Sequence, residues 1–233
     1  GDNTILSDTG IVNDATLIIS ADALGTGDDS IKILDGNNRI AAGDGSDTIT
    51  VGAGNNDILA DTGSFDYGNG LFTADENGSG DDVVTTGAGN QRILGGYGTD
   101  TITTTIGNDF LLGDTGSFQF SGDVLAKAVA EGINGAVDII NSGDGDKIVL
   151  TGAGSDQITL GNGDSDIVSD NGSLDYANLI YVSDNTVSGD DSITAGNGNH
   201  RILAGNGSDS ITLGMGDNTI LSDTGIVNDA TLI

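Results

Sequence analysis

The chain is 233 residues long, with 40 Gly and no Pro, Cys or Trp, and it sets 36 Asp and Glu against 6 Lys and Arg, a formal charge of −30. That charge repels nucleic acid and anionic lipid, and the composition, with only four Tyr and five Phe, excludes both a collagen-like chain and an ordinary large globular core. High charge alone points to disorder, but the hydrophobic 36% of the chain recurs at fixed intervals, which points to a fold.

The chain opens on GDNTILSDTGIVNDATLI at 1–18 and carries the same eighteen letters at 216–233, so the pattern re-enters itself after 215 residues. Such recurrence marks a tandem array, of which this sequence reads as one window, with both ends in mid-pattern. Residues 1–24 read as the end of a preceding super-repeat. Super-repeats then span 25–77, 78–133 and 134–186, with a fourth, incomplete, at 187–233, all in one continuous solenoid. Each opens with four nonapeptides, in the first GTGDDSIKI, LDGNNRIAA, GDGSDTITV and GAGNNDILA, followed by the 17-residue DTGSFDYGNGLFTADEN. The second super-repeat carries three extra residues within DVLAKAVAEG, where a helical turn is expected.

Position seven of the nonapeptide is always a large aliphatic residue, from Ile31, Ile40, Ile49 and Ile58 through to Ile220, and this column is the predicted core. Gly at positions one and three suits tight turns, so two turns and two short strands close a coil of eighteen residues. Tyr67, Phe120 and Tyr176 fall at the seventh place after their DTG or DNG, and 17 is close to 18. The preferred reading is therefore three coils per super-repeat, twelve per 215 residues, spanning roughly 58 Å at about 4.8 Å per coil. Large loops projecting from a two-coil roll are the alternative.

Segments such as AGDGSDTIT and AGNGSDSIT resemble the RTX nonapeptide G-G-x-G-x-D-x-U-x, with the first Gly replaced by a small or apolar residue. The resemblance implies an all-β fold, a parallel β-roll or β-solenoid, with calcium ions held between successive turns by Asp carboxylates and Gly-rich backbone carbonyls. The recurring DTGS or DNGS after every fourth repeat resembles the long RTX-like arrays of giant bacterial surface proteins.

Position five separates the two edges of such a roll. Odd nonapeptides place Asp29, Asp47, Asp82, Asp100, Asp138, Asp156, Asp191 and Asp209 there; even ones place Asn38, Asn56, Gln91, Asp109, Lys147, Ser165, His200 and Asn218. Calcium is therefore expected mainly along the odd edge, where stacked coils supply carboxylates and carbonyls together. Asp61, Asp114, Asp170 and Asp223, which open the 17-residue segments, are counted among the ligands. The competing reading, that these Asp only satisfy turn backbone, does not explain why the substitutions respect the edge. The even edge is Asn-rich, suited to amide stacking, and carries Arg39, Arg92, Lys147 and Arg201. These either screen carboxylates such as Asp57 and Asp166 or form a contact row against another chain.

Odd strands present Thr48, Thr50, Thr101, Thr103 and Thr159 outward, so that sheet is expected to face water. Even strands point Leu59, Leu94, Leu112, Leu150, Val168, Leu203 and Leu221 outward, a row too apolar to stay bare. Cover by the 17-residue segments, through Phe65, Phe72, Phe118 and Leu174, is favoured over cover by another filament. Catalysis finds little support: His200 sits in a turn column, and the Asp residues recur as a ladder. The function expected is a calcium-stabilised structural repeat of a secreted extracellular fibre, adhesin stalk or biofilm matrix protein, exported by type I secretion. Its partners are calcium and copies of itself end to end, with lateral filament contacts open; no nucleic acid and no membrane insertion are expected. The alternatives are an RTX folding and secretion module attached to an enzyme or toxin and, behind it, an ice-binding solenoid.

Overall fold

Position-seven residues lie directly beside one another in successive coils of the computed structural model, which describes residues 1–13, 18–133 and 135–228. Ile31 pairs with Ile49, Ile49 with Val84 and Val84 with Ile102 in one sheet. In a second sheet Ile40 pairs with Ile58, Ile58 with Ile93 and Ile93 with Leu111. All these pairings are parallel, because each full coil brings the chain back to the same side running the same way. Among the described residues, odd nonapeptides thus build an eight-stranded parallel sheet and even nonapeptides a nine-stranded one. Position seven of both points into the space between them, where Ile40, Ile49, Ile58, Ile93, Ile102 and their successors form one buried column. Each buried Ile contributes on the order of 1.5–3 kcal/mol.

The turns impose Gly by close approach. At Gly98 φ is +146°, and a Cβ there would lie 1.6 Å from the Gly80 carbonyl oxygen of the coil before, so no side chain fits. Among the described residues there is no helix. The stretch expected to hold a helical turn is instead the strand Val124–Ala130, paired antiparallel with Gly116–Ser121 through a bulge between Gln119 and Phe120. The three extra residues lengthen this hairpin and leave the roll unchanged.

The 17-residue segments are not coils. From Ile40 to Ile58 the register advances by 18 residues, and from Ile58 to Ile93 by 35, so the inserted 17 add no strand to either parallel sheet. Each folds back as a hairpin, as Gly63–Asp66 does on Leu71–Ala74, and the hairpins join into a third, nine-stranded antiparallel sheet. Two coils advance along the axis by two strand spacings, and a hairpin also supplies two strands. The third sheet therefore keeps pace with the roll, which explains why a hairpin follows every second coil. A super-repeat is two coils plus a hairpin, eight coils per 215 residues, or about 38 Å instead of 58 Å.

The hairpin sheet covers the apolar outer face of the even sheet. Leu59, Leu94, Leu112, Leu150, Val168 and Leu203 are fully buried against Phe65, Phe72, Phe118 and Leu174, in a cluster separate from the roll interior. Cover by the same chain was the favoured expectation, and the structure bears it out. Tyr67, Phe120 and Tyr176 belong to this outer cluster and do not enter the roll. Among the described residues nothing covers the odd sheet, and Thr48, Thr159 and Thr212 on its outer face are exposed.

Position six of the even strands lies beside the hairpin tips and carries a swap that recurs within the chain. Asp57 pairs with Arg92 through Nε at 2.5 Å and Nη2 at 2.9 Å, and accepts Tyr67 Oη–H at 2.7 Å. Asp166 does the same with Arg201 at 3.0 Å and Tyr176 at 2.6 Å. The basic residues thus screen these carboxylates, as the first of the two expectations held. At the junction between, Phe110 faces Ile148 in register, and the tip residue is Phe120, its ring 5.3 Å from Phe110. Tyr becomes Phe where there is no Asp to receive its hydroxyl. Arg92→Ile alone is expected to cost about 3 kcal/mol or more, because Asp57 is then buried without its cation. Adding Asp57→Phe and Tyr67→Phe should recover most of that loss, as read from urea midpoints of the folded protein.

Candidate metal-binding edge

The turn that leads from an even strand into an odd strand is the edge where the position-five Asp residues stack. Each gives one oxygen to its neighbour. Oδ1 of Asp47 accepts the backbone N–H of Asp29 at 2.7 Å, Asp82 that of Asp47 at 2.7 Å, and Asp100 that of Asp82 at 2.9 Å. The ladder continues through Asp138, Asp156, Asp191 and Asp209 at 2.8, 2.8, 2.8 and 3.0 Å. The other oxygen, Oδ2, is buried and without a hydrogen-bond partner at Asp29, Asp47, Asp82, Asp100, Asp138, Asp156, Asp191 and Asp209 alike.

Asp61, Asp114 and Asp170 come to the same edge from the start of the hairpin segments. Asp61 accepts Tyr97 N–H at 3.1 Å and Asp170 accepts Asn206 N–H at 2.7 Å, and each leaves a buried oxygen unpartnered, as do both oxygens of Asp114. Asp223 is exposed, close enough to act on Asp209. Asp8 occupies the place equivalent to Asp61, packed on Gly25 and Gly43 as Asp61 is on Gly78 and Gly96. Asp8 was not among the residues picked from the sequence. Its signal was present, because Asp8-Thr9-Gly10 repeats the DTG at 61–63.

Burial makes these carboxyl groups poor acids. It pushes Asp82 and Asp114 up to about 8, and Asp47, Asp61, Asp156 and Asp170 to about 7, from the usual 3.8. Asp191 rises to about 6, and Asp100 and Asp138 also rise, through burial first and the repulsion of neighbouring carboxylates second. An uncompensated carboxylate oxygen in such a place is costly unless a proton or a cation meets it. Among the described residues no three carboxylate or imidazole groups converge on a single point, so a cation here would draw on the backbone as well. The backbone offers itself: Asp100 Oδ2 and the Gly113 carbonyl crowd the same space beside Gly95, and Asp114 Oδ2 and the Ala153 carbonyl the same space beside Gly135. Carboxylate and carbonyl oxygens in that combination are the donor set of a hard divalent cation such as calcium.

The profile of the RTX calcium-binding nonapeptide repeat, four copies long, matches residues 34–64, 76–111 and 185–220. These segments are RTX calcium-binding repeats. The chain matches none of the curated proteins and none of the solved structures with which it was compared. The RTX repeat is a calcium-binding unit that winds into a parallel roll, and the all-β architecture described above is that roll with a hairpin sheet added to one face.

The even edge of the RTX roll is built from amides instead. Position four forms an unbroken ladder from Asp2 to Asp217, in which Asn55 N–H donates to Asn37 Oδ1 at 2.8 Å, Asn90 to Asn55 at 2.9 Å and Asn108 to Asn90 at 2.9 Å. At position five Asn38 Nδ2 donates to Asn56 Oδ1 at 2.7 Å, and Asn56 Nδ2 to Gln91 Oε1 at 2.8 Å. Amides supply both donor and acceptor, so the Asn38–Asn56–Gln91 stretch of this edge closes without charge. His200 was expected in a turn but opens the strand His200–Leu203; it lies buried in the same column with Nε2 3.1 Å from the Gly196 carbonyl.

Proposed function

We propose that this chain is a calcium-stiffened structural stretch of a long extracellular fibre, adhesin stalk or biofilm matrix protein. Calcium ions lie along the odd edge, held by Asp29, Asp47, Asp82, Asp100, Asp138, Asp156, Asp191 and Asp209 together with Asp61, Asp114, Asp170 and Asp223, and Asp8 joins them. The observation that carries this reading is the ladder of carboxylates, from Asp47 onward each with one oxygen accepting a backbone N–H of the preceding coil, and all with the other oxygen buried and unmet. An ion between two coils neutralises that oxygen and ties the coils together, so stiffness along the axis and calcium binding are one property. The return of the first eighteen residues after 215 supports a tandem array in which the roll runs from block to block without a linker. No helix of the described residues is long and apolar enough to cross a membrane, and RTX repeats suit a secreted, extracellular setting, where calcium is plentiful.

Electron microscopy of fibres formed by the parent protein tests this. An axial period of about 38 Å, eight coils at the spacing of paired strands, that frays in chelator is the expected result. Globular beads on flexible tethers would defeat the continuous fibre, and a period indifferent to chelator would defeat the role of calcium.

A further inference from the structure

The even edge keeps one carboxylate at position five, Asp109, and it is treated differently from every Asp on the odd edge. Its Oδ1 does what theirs do, accepting the backbone N–H of the preceding coil, here Gln91, at 2.9 Å. Its Oδ2, the oxygen left unmet on the odd edge, is surrounded. Thr104 Oγ1 donates to it at 2.8 Å and Ser142 Oγ at 3.1 Å, and the ammonium of Lys147 stands 3.7 Å away. Lys147 is the register partner of Asp109 in the next coil. Both side chains are completely buried, and Lys147 Nζ also donates to the Gly107 carbonyl.

The surroundings are particular to this junction. Thr104 and Ser142 end odd nonapeptides, at a position that holds a third buried hydroxyl in Thr86 and elsewhere the apolar residues Ile33, Val51, Leu160, Ala195 and Leu213, packed in the roll interior. Two hydroxyls and an ammonium thus gather around one carboxylate oxygen, and a backbone carbonyl meets the ammonium from its other side, in a place where burying a charge is otherwise prohibitive. This is also the junction where the register advances by 38 residues instead of 35, from Leu111 to Val149.

We infer that Asp109 Oδ2 and the Gly107 carbonyl form a cation site on the even edge, its carboxylate held in place by the Thr104 and Ser142 hydroxyls, and that its resident cation is the Lys147 side chain, which stands in for a metal ion. The inference rests on the reading of the odd-edge oxygens as cation ligands. Lysine is carried by the chain itself, so this coil junction is neutralised with or without calcium. Removing the side chain and leaving space behind opens the oxygen cage to an external ion.

The test compares the wild-type chain with Lys147→Ser and with Lys147→Ser/Asp109→Asn, counting bound calcium by equilibrium dialysis and measuring the calcium midpoint of folding by circular dichroism. Lys147→Ser is expected to bind one calcium more than wild type, and the double variant to return to the wild-type count. Should the serine variant fold poorly without taking an extra ion, recovery on adding Asp109→Asn still assigns the cation role to Lys147. A serine variant with wild-type count and wild-type midpoint overturns the inference, and so does a loss that Asp109→Asn fails to recover. If wild type binds no calcium at all, the odd-edge reading fails, while the recovery experiment still decides the part played by Lys147.

Discussion

In chelator at pH 8 the chain is expected to lose its β-sheet circular dichroism, and to regain it either on adding calcium or on acidifying to about pH 5. Both follow from the odd edge. Its carboxyl groups are pushed from 3.8 to about 6, 7 or 8 in the folded state, by burial above all. A carboxyl whose folded value is raised binds more protons folded than unfolded, so the metal-free fold is most stable below the unfolded value near 4 and weakens as pH climbs through 6 to 8. For Asp82, raised to about 8, the penalty at pH 8 is on the order of 5 kcal/mol. A few such groups together outweigh the roughly 5–15 kcal/mol by which a domain is ordinarily stable. A proton removes the penalty by neutralising the group, and calcium removes it by occupying the same oxygens, so binding free energy becomes folding free energy and calcium uptake releases protons. A β spectrum fully formed in chelator at pH 8 would show that the edge stands its own charge, and the calcium reading would fall with it.

The roll itself was legible in the sequence because its determinants are periodic: a large aliphatic residue holds position seven of every nonapeptide, and Gly holds positions one and three of most. The edge asymmetry was legible for the same reason, since Asp29 to Asp209 fall in one column and Asn38 to Asn218 in the other. What periodicity could not convey was the fate of the 17-residue segments. Their length is within one residue of a coil, and Tyr67, Phe120 and Tyr176 fall at the core position by count. The distinguishing signal is local: Gly-Asn-Gly at 68–70 sits between two apolar stretches, Gly63–Asp66 and Leu71–Ala74, a hairpin turn that a coil would not need. The outward leucines of the even sheet were the second clue, since a face that apolar has to be covered by something close at hand. The Asp109–Lys147 pair was half legible. The two follow one another in the even column, but Thr104 and Ser142, whose hydroxyls reach Asp109 Oδ2, belong to odd nonapeptides, and a column-by-column reading does not bring them to this edge.

The two edges are expected to answer substitution with opposite signs. Asp100→Asn keeps the Oδ1 that accepts the Asp82 N–H at 2.9 Å, so the ladder survives, but it removes a buried charge whose Oδ2 has no partner. In chelator at pH 8 this variant should therefore be more folded than wild type, because a penalty on the metal-free state is gone. In saturating calcium it should bind fewer ions, and about tenfold more calcium should be needed for the ions that remain at the neighbouring sites, since a ligand shared by two coils has lost its charge. Asn38→Ala removes hydrogen bonds to Asn56 Oδ1 at 2.7 Å and to the Gly36 carbonyl at 2.9 Å, from a side chain that is fully buried. It should cost about 1–3 kcal/mol whether calcium is present or not, with the number of bound ions unchanged. Calcium counts by equilibrium dialysis, paired with urea midpoints in calcium at pH 8 and in chelator at about pH 5, and with the circular dichroism in chelator at pH 8, separate the cases. Should Asn38→Ala lower the ion count as Asp100→Asn does, or should Asp100→Asn prove no more folded than wild type in chelator, the ions do not lie where the unmet carboxylate oxygens place them.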